Sequence, residues 1–359
     1  MRHGGTAAVG RASGFLEGIT MRTSLRAVVV AAGVAALAGA GAVVAGPASA
    51  SPHPPPRIVD LGTLGGTCCS SASAISDRGV VVGDSSIGPD LFSPYHAFRW
   101  AAGHMTDLGT LGGENSSAAG IDKRGDMIVG TSQVRPGDFD TTHAFLWRAG
   151  HMIDLGTLGG SASFATGVND AGVVVGSSQT ATGAFHAFRW RAGRMTDLDP
   201  SAVASSASAV NDRGDVAGSV STDATTLPVV WHAGVPAVLP TPAGEFAGGA
   251  QAVNDVGDVA GFSFGPTGAS ALRWRNRRIT PLGGLPGSTF AQALGMNDLG
   301  AIVGGTDVAA FVWQGGRMSA LPNLVGSSTA ADVNNRGQIV GASSTNSENT
   351  DRHAVLWTR

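Results

Sequence analysis

Lysine and tyrosine each occur once in this 359-residue chain, as Lys123 and Tyr95, and cysteine occurs twice, as the adjacent Cys68 and Cys69. A chain with one lysine and no basic cluster has little electrostatic grip on nucleic acid or an anionic membrane surface. Residues 1–50 hold four of the arginines and one of the acidic residues, so the remainder carries a formal net charge of about −6. Two neighbouring cysteines exclude a disulfide framework. They form a vicinal bridge, stay reduced or link to another molecule, and a vicinal bridge closes almost no loop. Also missing after Ser51 is any apolar stripe at the helical period.

What is present is a repeat. All seven tryptophans, Trp100, Trp147, Trp190, Trp231, Trp274, Trp313 and Trp357, fall in one slot, 39 to 47 residues apart. A turn of the form Asn-Asp-x-Gly stands at Asn169, Asn211, Asn254 and Asn297, with variants at Ser76, Asp122 and Asn334. Four residues before each of these positions is an alanine: Ala72, Ala118, Ala165, Ala207, Ala250, Ala293 and Ala330. Three independent markers agree on seven units.

Each unit offers four short segments rich in Val, Ile, Phe and Trp between Gly, Asn and Asp punctuation. In the second copy these are Ala118–Ile121, Met127–Ser132, His143–Trp147 and Met152–Leu155. Four short strands per unit is the size of a propeller blade, so the sequence predicts an all-β, seven-bladed β-propeller. Arg57–Leu61 matches the fourth strand of a unit, and the last recognisable element, His353–Trp357, matches the third. The N-terminal strand is therefore expected to complete the last blade and close the ring, covering two free edges. A one-residue excess between Gly125 and Gly130 predicts a bulge there.

In such a blade the Asn-Asp-x-Gly and x-Ala-Gly-x turns share one face, and both are uniform. The opposite face carries the Leu-Gly-Gly connections and the loops between strands two and three, which vary in length. Variable loops on a rigid scaffold are where specificity resides, so that face is the expected binding face. The ligand-binding candidates are residues that break the repeat. Asp332 stands in a strand-one slot otherwise held by Ala or Gly, Glu114 and Glu245 occupy matching inter-blade loops, and Arg135, Asp138 and Asp140 share one long loop. The plain alternative for each is a solvated surface charge. The recurrent His96, His143, His186 and His353 read as hydrogen-bonded structural groups. Equivalent positions in neighbouring blades lie about 10 Å apart, too far for one zinc ion. The Asn-Asp-x-Gly turns lack the spaced oxygen ligands of a calcium loop. No metal, cofactor or catalytic residue is expected.

Ahead of the repeat, residues 21–50 carry Arg22 and Arg26, an apolar run from Ala27 to Ala45 and Ala48-Ser49-Ala50, the order of a secretory signal. An uncleaved anchor is the competing reading; after cleavage no membrane span is expected. Residues 1–20 precede that signal, 51–56 form a Pro-rich spacer and 57–359 the propeller.

The segments Asp107–Gly113, Asn169–Gly176 and His143–Trp147 resemble the HAF-repeat family of extracellular bacterial repeat proteins. The resemblance covers residues 58–357 and is close as far as Leu198; beyond it Leu227–Val229 and Ser270–Leu272 replace His-Ala-Phe. It implies secretion and no defined activity. Kelch propellers share a Gly-Gly and a Trp, but the single tyrosine argues against that family. The expected function is a secreted, monomeric binding module for an extracellular glycan or protein, with the ligand on the loop face around the central channel. The alternatives are an extracellular lyase or hydrolase, for which no nucleophile motif is present, and an envelope-associated scaffold.

Overall fold

Short β-branched and aromatic runs between Gly and Asn-Asp turns fold here into strands, with no helix among the described residues. The computed structural model describes residues 56–358 apart from 67, 90–92, 139 and 267; the signal segment 21–50 and most of the spacer lie outside them. The second repeat shows the local rule. Its strands are Ser116–Ile121, Met127–Gln133, Thr142–Arg148 and His151–Asp154, each antiparallel to the next. The Ala149-Gly150 turn places both residues at positive φ, 51° and 87°, which matches the twist of a tight hairpin.

Among the described residues, twenty-eight strands fall in groups of four. The first six groups span residues 70–107, 116–154, 159–197, 204–238, 247–281 and 291–320. The seventh combines Ser328–Val333, Ile339–Ser344 and Arg352–Thr358 with the N-terminal strand Arg57–Asp60. That strand runs antiparallel to Arg352–Thr358, in a register from Arg57 opposite Thr358 to Asp60 opposite Val355. One parallel bridge, Ala162 to Thr142, joins the second and third groups. No sheet among the described residues closes on itself.

Every first strand carries a bulge one residue after the marker alanine, between Ala72 and Ala74 in the first group and Ala330 and Asp332 in the seventh. The extra residue pushes the first strand's backbone towards the second strand. There each group has a glycine: Gly83, Gly130, Gly176, Gly218, Gly261, Gly304 and Gly341. A Cβ at any of them would strike the carbonyl oxygen of the residue before the marker alanine. Bulge and glycine are thus one device. The excess residue between Gly125 and Gly130 is not a strand bulge. The second group's turn is one residue longer, closing from the Asp122 N–H to the Met127 oxygen at 3.0 Å where the first closes from Ser76 to Val80 at 2.9 Å.

Apolar side chains pack between groups rather than within them. Phe98, Phe145, Phe188 and Phe311 are fully buried, as are Trp231, Trp274 and Trp357. Seven apolar clusters each join two neighbouring groups. One unites Leu61, Ala72, Ile75, Val81 and Phe98 with Val340, Ala354 and Leu356, so the seventh group packs on the first.

Candidate functional site

The most conspicuous repeat, Asp-Leu-Gly-Thr-Leu-Gly-Gly, spends its polar groups on its own geometry. Between the first and second groups the Asp107 carboxylate accepts the Gly109 N–H at 2.7 Å, the Thr110 hydroxyl donates to the Gly113 carbonyl at 2.8 Å, and the Leu111 N–H donates to Ser132 Oγ at 2.8 Å. The recurrent histidines pair with the aspartate that opens this loop: His96 with Asp107 at 2.7 Å, His143 with Asp154 at 2.8 Å, His186 with Asp197 at 2.7 Å. His353 makes the same pair with Asp60, from the other end of the chain, at 2.8 Å. All four recurrent histidines are thus hydrogen-bonded to a carboxylate of the protein.

The candidates on the loop face divide. Asp332 Oδ2 accepts the Ile75 N–H of the first group at 3.0 Å and Oδ1 accepts its neighbour Val333 at 2.8 Å, which ties the seventh group to the first. Glu245 is half-buried and accepts from the Ser263 and Ser270 hydroxyls. Glu114, in the matching loop, is exposed. Arg135, Asp138 and Asp140 do share one loop. Asp138 caps it, accepting the Thr141 hydroxyl at 2.7 Å and the N–H groups of Asp140 and Thr141 at 3.1 and 3.2 Å. The Thr141 hydroxyl is the largest of the influences that hold the Asp138 carboxyl below its usual range. Arg135 and Asp140 point outward as exposed charges.

Sequence reasoning missed a second constellation, on the turn face. The second residue of each turn is bound to the next group's equivalent. The Asp77 N–H donates to the Lys123 carbonyl at 3.0 Å, Lys123 to Asp170 Oδ1 at 3.0 Å, Asp170 to Asp212 at 3.0 Å and Asp212 to Asp255 at 2.9 Å. Asp255 donates to Asp298 at 2.9 Å, Asp298 to Asn335 at 2.9 Å, and Asn335 back to Asp77 at 2.8 Å. The circuit visits all seven groups and returns to its start. A parallel series runs through the opening amides, from Asn169 to the Asn211 carbonyl and on to Asn334, which donates to the Ser76 carbonyl at 2.9 Å. Asp122 sits in one of these amide slots. Its side chain is buried, with Oδ2 lacking a hydrogen-bond partner, and burial raises its pKa.

Lys123, the one lysine, occupies an otherwise acidic or amide slot and reaches to the far side of the circuit. Its Nζ lies 3.4 Å from Asp212 Oδ2 and 2.8 Å from Asp298 Oδ2, and bonds Asp255 as well. Burial works against its charge, but the hydrogen bonds it donates to Asp255 and Asp298 outweigh it and raise the pKa. Asp298 is held below its ordinary 3.8: burial opposes ionisation, and bonds from the Asp255 N–H, Lys123 and Asn335 overcome it. The ammonium therefore joins the second group to the fourth, fifth and sixth across the turn face.

Replacing Lys123 by Met leaves Asp212, Asp255 and Asp298 facing one another. Breaking a fully buried pair costs about 3–5 kcal/mol; the Lys123 side chain is 36% exposed, so about 2 kcal/mol is expected. The sign with pH is distinctive. A carboxyl whose folded pKa is depressed stabilises above its unfolded value and loses that contribution as pH falls through the folded one. The wild type should weaken below about pH 4, whereas Lys123→Met, whose carboxylates repel, should recover on acidification. Thermal unfolding at neutral pH and near pH 3.5 checks this. An equal gap between the two proteins at both pH values refutes it.

No protein-family model matches the chain, and no curated protein matches it. Among solved structures it is similar to the β-propeller domain of the trilobed protease from Pyrococcus furiosus, described as having an open velcro topology. The TM-score is 0.51 at 11% identity, over 70% of this chain and 81% of that one. It is also similar to TolB from Acinetobacter baumannii (TM-score 0.43, 10% identity, 63% of this chain and 54% of that one). A third is the acylaminoacyl peptidase of Pyrococcus horikoshii (TM-score 0.47, 12% identity, 70% and 45%). The chain thus spans about half the length of the last two. At such identities the likeness bears on the fold alone, and the first supports an all-β propeller.

Proposed function

We propose that this chain is a secreted seven-bladed β-propeller of the HAF-repeat kind, closed by Arg57–Asp60, that binds an extracellular glycan or protein on its loop face. What supports the choice of face is the turn side's own bonding, where Lys123 ties across to Asp255 and Asp298 and the carboxylates bond the next turn, so those polar groups are engaged by the protein rather than offered to a ligand. Closure is supported by the circuit returning from Asn335 to Asp77 and by the packing of the seventh group on the first. Binding is favoured over acid–base chemistry because Glu245, Asp138 and Asp332 already accept hydrogen bonds from the protein, and the two exposed carboxylates, Glu114 and Asp140, stand on separate loops rather than as a facing pair. The outward-facing Glu114, Arg135 and Asp140 are the residues for contact.

The test is thermal unfolding of the full chain against a panel of cell-wall and plant polysaccharides. A ligand at 100 times its dissociation constant adds about 2.7 kcal/mol. A shift with one polymer, lost in Arg135→Ala combined with Glu114→Gln and retained in Lys123→Met, supports the loop face. A shift lost in Lys123→Met alone moves the site to the turn face. Shortened polymer after incubation makes the protein an enzyme, and no shift with any polymer refutes glycan binding.

A further inference from the structure

The Cys68–Cys69 pair belongs to neither the repeat nor the proposed binding residues. It is present as a vicinal disulfide, and the neighbouring loop brings Asp351 to it from the other end of the chain. Among the described residues these three form the group in which Cys, His, Asp or Glu ligand atoms gather, all within 4.8 Å of one another. Cys68 is buried, and Cys69 and Asp351 are half-buried, so this is no exposed acidic patch.

Each component is fixed. The Cys69 carbonyl accepts the Ser86 N–H at 3.0 Å, and in the second group Asn115 accepts the Gln133 N–H in the same way at 2.9 Å, so the repeat needs the backbone here and not a thiol. The first group also has one residue more than the second between the loop's opening aspartate and the marker alanine, Asp60 to Ala72 against Asp107 to Ala118. Opposite, Asn346 Nδ2 donates to Asp351 Oδ2 at 3.1 Å, and its Oδ1 accepts the Thr350 N–H at 3.2 Å. A side-chain amide that orients a carboxylate is the support a metal ligand requires.

We propose that reduction of Cys68–Cys69 opens a site for one thiophilic divalent cation, of the zinc or cadmium class, held by the two thiolates and the Asp351 carboxylate. A dithiol reductant supplies two electrons and two protons to the disulfide and closes its own disulfide in exchange. The cation then displaces both thiol protons to solvent as it binds two sulfurs. Two metal–sulfur bonds of about 2.3 Å at a tetrahedral angle need sulfurs about 3.7 Å apart, a spacing the broken S–S bond permits. Three protein ligands leave the fourth position to water. Soft thiolates select this class over magnesium or calcium. The oxidised protein has no thiolate to offer and is the closed form. The inference does not depend on the polymer reading.

The experiment titrates Cd2+ into the full chain, oxidised or reduced with a phosphine and desalted anaerobically, reading free thiols and the sulfur-to-cadmium charge-transfer band. The expected result is no free thiol and no band before reduction, then two thiols and one Cd2+ per chain after it. Cys69→Ser should abolish the band. Asp351→Asn should keep the band but weaken binding by about tenfold or more. Free thiols in the untreated protein, two thiols without a band after reduction, or unchanged affinity in Asp351→Asn would each overturn the proposal.

Discussion

Gly176→Ala should lower stability by about 3 kcal/mol or more, although it adds one methyl group to a strand. The new Cβ would strike the Phe164 carbonyl oxygen and approach the Phe164 carbonyl carbon and Ala165 Cα at 2.9 Å, all backbone atoms that cannot swing aside. Relief requires shifting the first strand, which is held by the register between Phe164 and Ser177 and between Ala165 and Gly176, and is bulged immediately beyond. Gly167→Ala, in the facing first strand Gly159–Val168, is the internal comparison. Its Cβ meets Ala209 Cα at 3.3 Å, and alanine already stands in that slot at Ala74, Ala209 and Ala252. That change should stay within about 1 kcal/mol. Chemical denaturation of the two variants decides it, and equal losses would show that the close approach is not what the glycine serves.

This contrast also marks what the sequence reveals. Spacing of Trp, Asn-Asp-x-Gly and Ala located the strands to within two residues, because alternation and turn chemistry act locally: Met127–Ser132 was expected and Met127–Gln133 is found. The strand-two glycine was visible as a repeated letter, but its reason lies in a bulge on the facing strand. The carboxylate circuit was less legible still. In one copy Asn-Asp-x-Gly is a sufficient turn, with Asn169 Oδ1 accepting the Ala171 and Val173 N–H groups at 3.1 and 3.0 Å. The following aspartate acquires a partner only when seven turns meet. One signal was available: the chain's lone lysine replaces an aspartate in that slot, and a charge reversal in a repeated position asks for a partner. The candidates, on the loop face and in a first-strand slot near the centre, are breaks in the repeat. That criterion finds substitutions but cannot separate Asp332, which stitches two groups together, from Asp140, which faces water.

Leu61→Asp should cost about 4 kcal/mol or more and bring aggregation, because this residue completes the last group from the opposite end of the chain. Its N–H donates to the Ala354 carbonyl at 2.9 Å, the bond that Leu108 makes to Ala97 and Leu155 to Ala144 within their own groups. Its side chain is 8% exposed and packs with Phe98 and Val81 on one side and Val340 and Leu356 on the other. Truncating a buried leucine costs about 2–5 kcal/mol, and a carboxylate in its place adds the cost of an unpaired charge. Leu155→Asp provides the measure of a fourth strand continuous with its own group. If Arg57–Asp60 is an equal member of its sheet, the two variants should lose similar stability. They should differ in the fate of the loosened strand. Leu155 is tethered to its partner strand by a two-residue turn, Ala149-Gly150, and stays close when loosened. Arg57–Asp60 has no such tether to Arg352–Thr358, so its release bares a seven-residue edge without a lysine, a surface that pairs with another chain. Size-exclusion chromatography should find oligomers for Leu61→Asp at temperatures where Leu155→Asp is monomeric. A stable, monomeric Leu61→Asp would mean that the seventh group holds with three strands and does not need Arg57–Asp60.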